Sequence, residues 1–181
     1  MAGTYNSIKS TPAVSLQGGL KQKIYIAAYD DFETIEMPDK AAANVADRFK
    51  IKEPHTFKAG KGFVEIYITK NTGFVKFSPI GGPDRHSFNA EGEFYHPGEG
   101  DEIVAFGNQA IHDRFIILAP LPGSDELIQI GSDEFQVELT PSYDTTKNGD
   151  DGRGWPFTFS SYMPYLIKYT ASTIPLKPVT P

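Results

Sequence analysis

Cysteine is missing from this chain altogether. That excludes disulfides, thiolate zinc sites and cysteine nucleophiles together, and it fits a reducing compartment. No stretch approaches the ~18 consecutive apolar residues of a membrane-spanning helix. The opening residues, Met1 to Ser10, lack an apolar core, so no secretory signal is read there. Basic charge is scarce in one region. Residues 77–146 hold only Arg85 and Arg114 against 13 carboxylates, whereas residues 1–76 carry 11 basic and 8 acidic groups. With a formal net charge of −6, the chain lacks the basic surface that ordinary nucleic-acid affinity requires. The acidic middle reads either as a solvated face kept for solubility or as a surface that meets the basic ends of another copy.

Catalytic motifs are absent as well. His55, His86, His96 and His112 show no HExxH or paired spacing, so no zinc site is read from them. Gly60-Lys61-Gly62 and Gly81-Gly82 lack the spacing of a phosphate-binding loop. No GxSxG elbow occurs. Asp30, Asp31, Glu33 and Glu36 are carboxylates of the kind any acidic protein has. Asn148, Asp150 and Asp151 lack the terminal Glu of a calcium loop and suit Asn-Gly and Asp-Gly turns. The expectation is a protein without catalysis, metal or cofactor.

What is present is β-forming. Aromatics make up 13% of 181 residues, and 17 Gly and 14 Pro supply chain reversals. The length suits one domain. Strands are expected at Lys23 to Tyr29, Phe32 to Glu36, Ile51 to Phe57, Phe63 to Thr69 and from Phe74. Turns at Ala59 to Gly62 and Asn71-Thr72-Gly73 make residues 49–80 read as a meander of hairpins. Pro38 to Ala43 is a short helix or an ordered loop. Ser87 to His96 is a strand interrupted by Gly92. Asp101 caps a short helix through Phe106, with Gly107 weakening it. Arg114 to Ala119 is a short apolar run, suited to a strand buried on both faces. Leu127 to Ile130, Phe135 to Leu139 and Trp155 to Ser160 complete the strands. Residues 1–22 and the Pro-rich 163–181 read as extended arms flanking a domain at 23–162.

Trp155, Phe157, Phe159, Tyr162, Tyr165 and Tyr169 form the densest aromatic group. Phe157 and Phe159 suit the core, and Trp155, Tyr162 and Tyr165 are candidates for a subunit contact. A sugar- or partner-binding platform is the competing reading.

The order of these pieces carries a resemblance. Long hairpins come first, then Phe94-Tyr95-His96-Pro97-Gly98 and a short helix containing Phe106. The strand Phe115-Ile116-Ile117-Leu118 follows, then Gly131-Ser132-Asp133-Glu134-Phe135, and finally Gly152-Arg153-Gly154-Trp155-Pro156-Phe157-Thr158-Phe159. Over residues 23–162 this layout resembles the major tail tube protein of long-tailed bacteriophages. The resemblance implies a mainly β, sandwich- or barrel-like domain with one short flanking helix. It implies a virion protein, assembled in the host cytoplasm, whose hexameric rings stack into a tube with other tail proteins. DNA would pass through an electronegative lumen during genome ejection without sticking. On that expectation the lining strands fall within residues 51–80, with Glu65, Thr69 and Lys76 facing the lumen. Residues 163–181 depart from the layout. A decoration, connector or spike domain, and a carbohydrate-binding β-sandwich, are the alternatives.

Overall fold

The computed structural model describes residues 7–8, 17–82, 84–148 and 152–178. Most of the expected N-terminal arm, and Asp150 and Asp151, lie outside the described residues. The chain is mainly β, with 42% of residues in strands and 11% helical, and its layout is sandwich-like.

In order, the elements are β1 (Lys23–Ala28), a 3₁₀ turn (Tyr29–Asp31), β2 (Phe32–Thr34), a second 3₁₀ turn (Val45–Phe49), β3 (Lys50–Ile51) and β4 (Thr56–Phe57). Then come β5 (Val64–Tyr67), β6 (Phe74–Ile80), β7 (Ser87–Pro97) and α1 (Asp101–Ala110). β8 (Arg114–Pro120), β9 (Leu127–Ile130), β10 (Val137–Pro141), β11 (Gly154–Met163) and β12 (Ile167–Tyr169) complete the chain. β2 and β4 pair with each other, and the other ten strands form one sheet.

β8 is the branch point of that sheet. Leu118 faces Tyr25 of β1 on one edge and Gln129 of β9 on the other. Phe115 faces Ala28 of β1 and Val137 of β10. So β1 takes one edge of β8, while β10 and β9 share the opposite edge at its start and its end. One limb runs from β10 through β11 and β7 to β6, and the other from β9 through β12 to β3. A strand covered this way needs apolar side chains on both faces, and Phe115 to Pro120 are all buried. Burying an Ile, Leu or Phe side chain contributes about 1.5–3 kcal/mol, so this segment anchors the core.

The long limb follows strict alternation. Phe157, Phe159, Ser161 and Met163 of β11 point inward, while Thr158, Ser160 and Tyr162 point outward. β11 pairs with β7 without interruption from Gly154↔Pro97 to Met163↔Phe88. Gly92 sits opposite Phe159. A Cβ there would lie 2.4 Å from the Phe159 ring, so the glycine makes room for an aromatic that covers it. α1 buries Ile103, Gly107 and Ala110 along one stripe. A Cβ on Gly107 would come 2.4 Å from the Trp155 indole, so the helix–sheet approach requires the residue that weakened the helix in sequence. Gly100, not Asp101, is the N-cap, and the helix runs on to Ala110; Asp101 and Glu102 occupy its first turn, where the helix dipole favours negative charge.

Several expectations change. Among the described residues β5 pairs only with β1, so residues 63–77 are not a hairpin. The chain does turn at Asn71, whose φ is 64°, but it carries β6 to β7 instead. The expected strand at 51–57 divides into β3 and β4, with Pro54, which has no N–H to give a ladder, between them. Ala41 to Ala43 form no helix. The nearby 3₁₀ turn is capped by Asn44, whose Oδ1 accepts from the Ala46 N–H at 3.1 Å. Phe135 precedes its strand and is 47% exposed. Beyond residue 162, where an arm was expected, β12 enters the main sheet between β9 and β3, and Leu176 bridges to Phe63 in parallel.

Candidate functional site

The outward face of the β10–β11–β7–β6 limb is a broad polar surface on long, mutually paired strands. Three rows cross it. Thr140, Thr158, Glu93 and Phe74 make the first, and Glu138, Ser160, Glu91 and Lys76 the second. Tyr162, Asn89 and Ser78 make the third. The inward face is built of Val75, Phe77, Ala90, Phe94, Val137, Leu139, Phe157 and Phe159. Phe157 lies 5.9 Å from Phe106 of α1, so the helix packs against the inward side and leaves the polar side open.

Three carboxylates stand on this face. Glu91 accepts from Lys76 Nζ at 3.3 Å and from Asn89 Nδ2 at 3.4 Å. No ion pair reaches Glu93 or Glu138 among the described residues. Between the carboxylates stand short hydroxyls. The face therefore carries net negative charge, and the groups on it of the kind that hold nucleic acid stand at its margins: Phe74 and Lys76 in the outer strand, Tyr162 at one end and Arg114 of β8 across from Glu138.

The expected lumen residues do not share one surface. Lys76 belongs to this face. Glu65 lies on β5, paired with Lys23 at 3.1 Å, and lines a cavity of ≈ 630 Å³ beside Ile103 and Phe106 of α1. Thr69 follows β5, where its N–H donates to Tyr95 O at 2.9 Å. Its Oγ1 is buried without a hydrogen-bond partner among the described residues. The shared polar alternation of Glu65 and Thr69 reflects β5 lying against β1, not a common wall with β6.

The three expected contact residues also separate. Trp155 is buried, stacked on Phe157 at 6.2 Å and near Tyr143 at 5.3 Å, with no hydrogen-bond partner for Nε1 among the described residues. Tyr165 is half-buried, edge-on to Phe49 at 5.4 Å, with Lys40 Nζ 5.6 Å from its ring centroid. Tyr162 is 59% exposed. Glu91, Glu93 and Glu138 escaped the sequence reading. Their signal was present as alternation in β7 and β10, but pairing across strands joins them.

One polar cluster lies inside the other limb. His55 is 2% exposed. Its Nδ1 accepts from the Glu36 N–H at 3.0 Å, and its Nε2 lies 2.9 Å from Gln129 Oε1. Nδ1 must be the acceptor, so Nε2 carries the proton and donates to Gln129. Burial lowers its pKa from 6.5 to about 4, against the opposing hydrogen bond to Gln129. The neighbouring Tyr169 donates to Thr173 O at 2.8 Å, and burial raises its pKa to about 12. Both groups are neutral at pH 7 and hold the limb together.

Among the described residues no group of three or more His, Asp or Glu is arranged to hold a metal ion. No helix among them is long and apolar enough to cross a membrane. No family model, curated protein or solved structure matches the chain.

Proposed function

We propose that this chain is a structural virion subunit, like the major tail tube protein of long-tailed bacteriophages, whose copies form stacked sixfold rings around a lumen for DNA. One observation carries the reading: the acidic, hydroxyl-bearing face of β10, β11, β7 and β6. Such a face repels phosphate and offers no cation cluster to grip it. The lining is thus assigned to Glu91, Glu93, Glu138 and Lys76 in place of Glu65 and Thr69. One sheet edge supports assembly. Among the described residues β6 pairs only with β7. Its outer edge leaves backbone groups for a neighbouring copy, and head-to-tail contacts of this kind close into rings or extend as filaments. The outer side of β5 is already taken up, by His96 on Tyr67 O and by Leu176 beside Phe63. No catalytic residue is required.

Electron microscopy of the concentrated protein in negative stain tests the reading. Hollow tubes or sixfold rings are the expected result. Particles that remain monomeric at every concentration reject it.

A further inference from the structure

At one end of the polar face, two aromatic side chains stand in water where core packing does not require them. Phe135 is 47% exposed and Tyr162 59%. Their ring centroids are 6.3 Å apart and the planes nearly perpendicular, at 81°. Beside them lies a hollow of ≈ 310 Å³ whose lining includes Arg114, Glu134, Glu138 and Ser160. That volume is at the lower bound of small-ligand sites.

The loop bearing Phe135 is held from several sides. Ser132 N–H donates to Phe135 O at 2.8 Å, and Ser132 Oγ accepts from Phe135 N–H at 3.0 Å. Ser161 Oγ donates to the same carbonyl at 3.1 Å. Gln136 Nε2 donates to Asp133 O at 2.6 Å, and Tyr29 Oη donates to Asp133 Oδ1 at 2.8 Å. An exposed aromatic on so fixed a loop is pre-organised, so a ligand meeting it would lose little by ordering it.

We propose that this hollow binds a neutral saccharide ring. The aromatic surface takes the C–H face of a pyranose. Arg114, which forms no ion pair among the described residues, supplies planar donors to a pair of hydroxyls. Glu134 and Glu138 supply acceptors. One cation between two carboxylates disfavours an anionic ligand, and donors alternating with acceptors suit a hydroxyl-rich one. Because the hollow is formed within one copy, binding does not depend on tube formation.

Saturation-transfer NMR with glucose, galactose, mannose, N-acetylglucosamine and their β-linked disaccharides tests this. At least one should bind with a Kd of about 1 mM or tighter. Tyr162→Ala should weaken it tenfold or more, while Tyr162→Phe retains most of it. Arg114→Gln should also weaken binding, with the thermal midpoint of each variant confirming that it folds. Absence of transfer from every sugar overturns the proposal. So does binding that folded Tyr162→Ala leaves unchanged.

Discussion

The two limbs that leave β8 solve different problems. The β10–β11–β7–β6 limb has long strands, one apolar face and one solvated face. The β9–β12–β3 limb has short strands, and its interior includes a histidine–glutamine pair. The first limb spends its sequence on a surface, the second on closing the core. A protein that works through its surface needs the first, whose register is set by its own strand pairings.

The comparison breaks first at the inward face. Phe157→Ala removes a ring stacked at 4.7 Å on Phe94, and such changes cost about 3–5 kcal/mol. Chemical denaturation should show a loss of that size, with assembly lost alongside. A loss under about 1 kcal/mol would mean the long limb is not held by this stack.

The short limb should respond to acid. The unfolded chain protonates His55 below pH 6.5, but the folded state resists until about pH 4. Stability is therefore complete above pH 6.5, falls through that window and levels off below about 4. The full loss is about 3 kcal/mol. Urea midpoints across pH 4–7 check this. His55→Leu should be less stable at pH 7, because the Glu36 N–H and Gln129 lose a partner, and should remove this part of the slope.

Much of the long limb was legible because alternation survives on strands with one wet face. Phe157, Phe159, Val137 and Leu139 announce themselves. β8 was legible for the opposite reason, since an unbroken apolar run has one natural home. The short limb was not. β3 and β12 are two and three residues long, too short for any period. Ile167 to Tyr169 lies among prolines that read as an arm. The carboxylate face was half legible: the glutamates were visible, but only strand pairing sets Glu91 beside Ser160 and Glu138 beyond it.

Charge reversal on the open face should separate stability from surface function. Glu93→Lys with Glu138→Lys should change stability by under about 0.5 kcal/mol per site. The same protein should gain salt-sensitive DNA retention, read by filter binding at two ionic strengths. Unchanged retention would sever the link between this face and DNA passage. The smallest effect is expected for Lys76→Ala, since the exposed Lys76–Glu91 pair contributes at most about 1 kcal/mol. A larger loss in thermal melts would mean that the β6 edge depends on that pair.

The branch at β8 also has a consequence for the order of events on the ribosome. β1 is made early, yet its partner residues 115–118 arrive only after β5, β6, β7 and the helix. β3 waits longer still, for residues 168 and 169. Neither half of the described sheet is complete without strands from the other. Folding should therefore be slow, as non-local pairing dictates. The nascent β1 and β5 would present adhesive edges until β8 emerges.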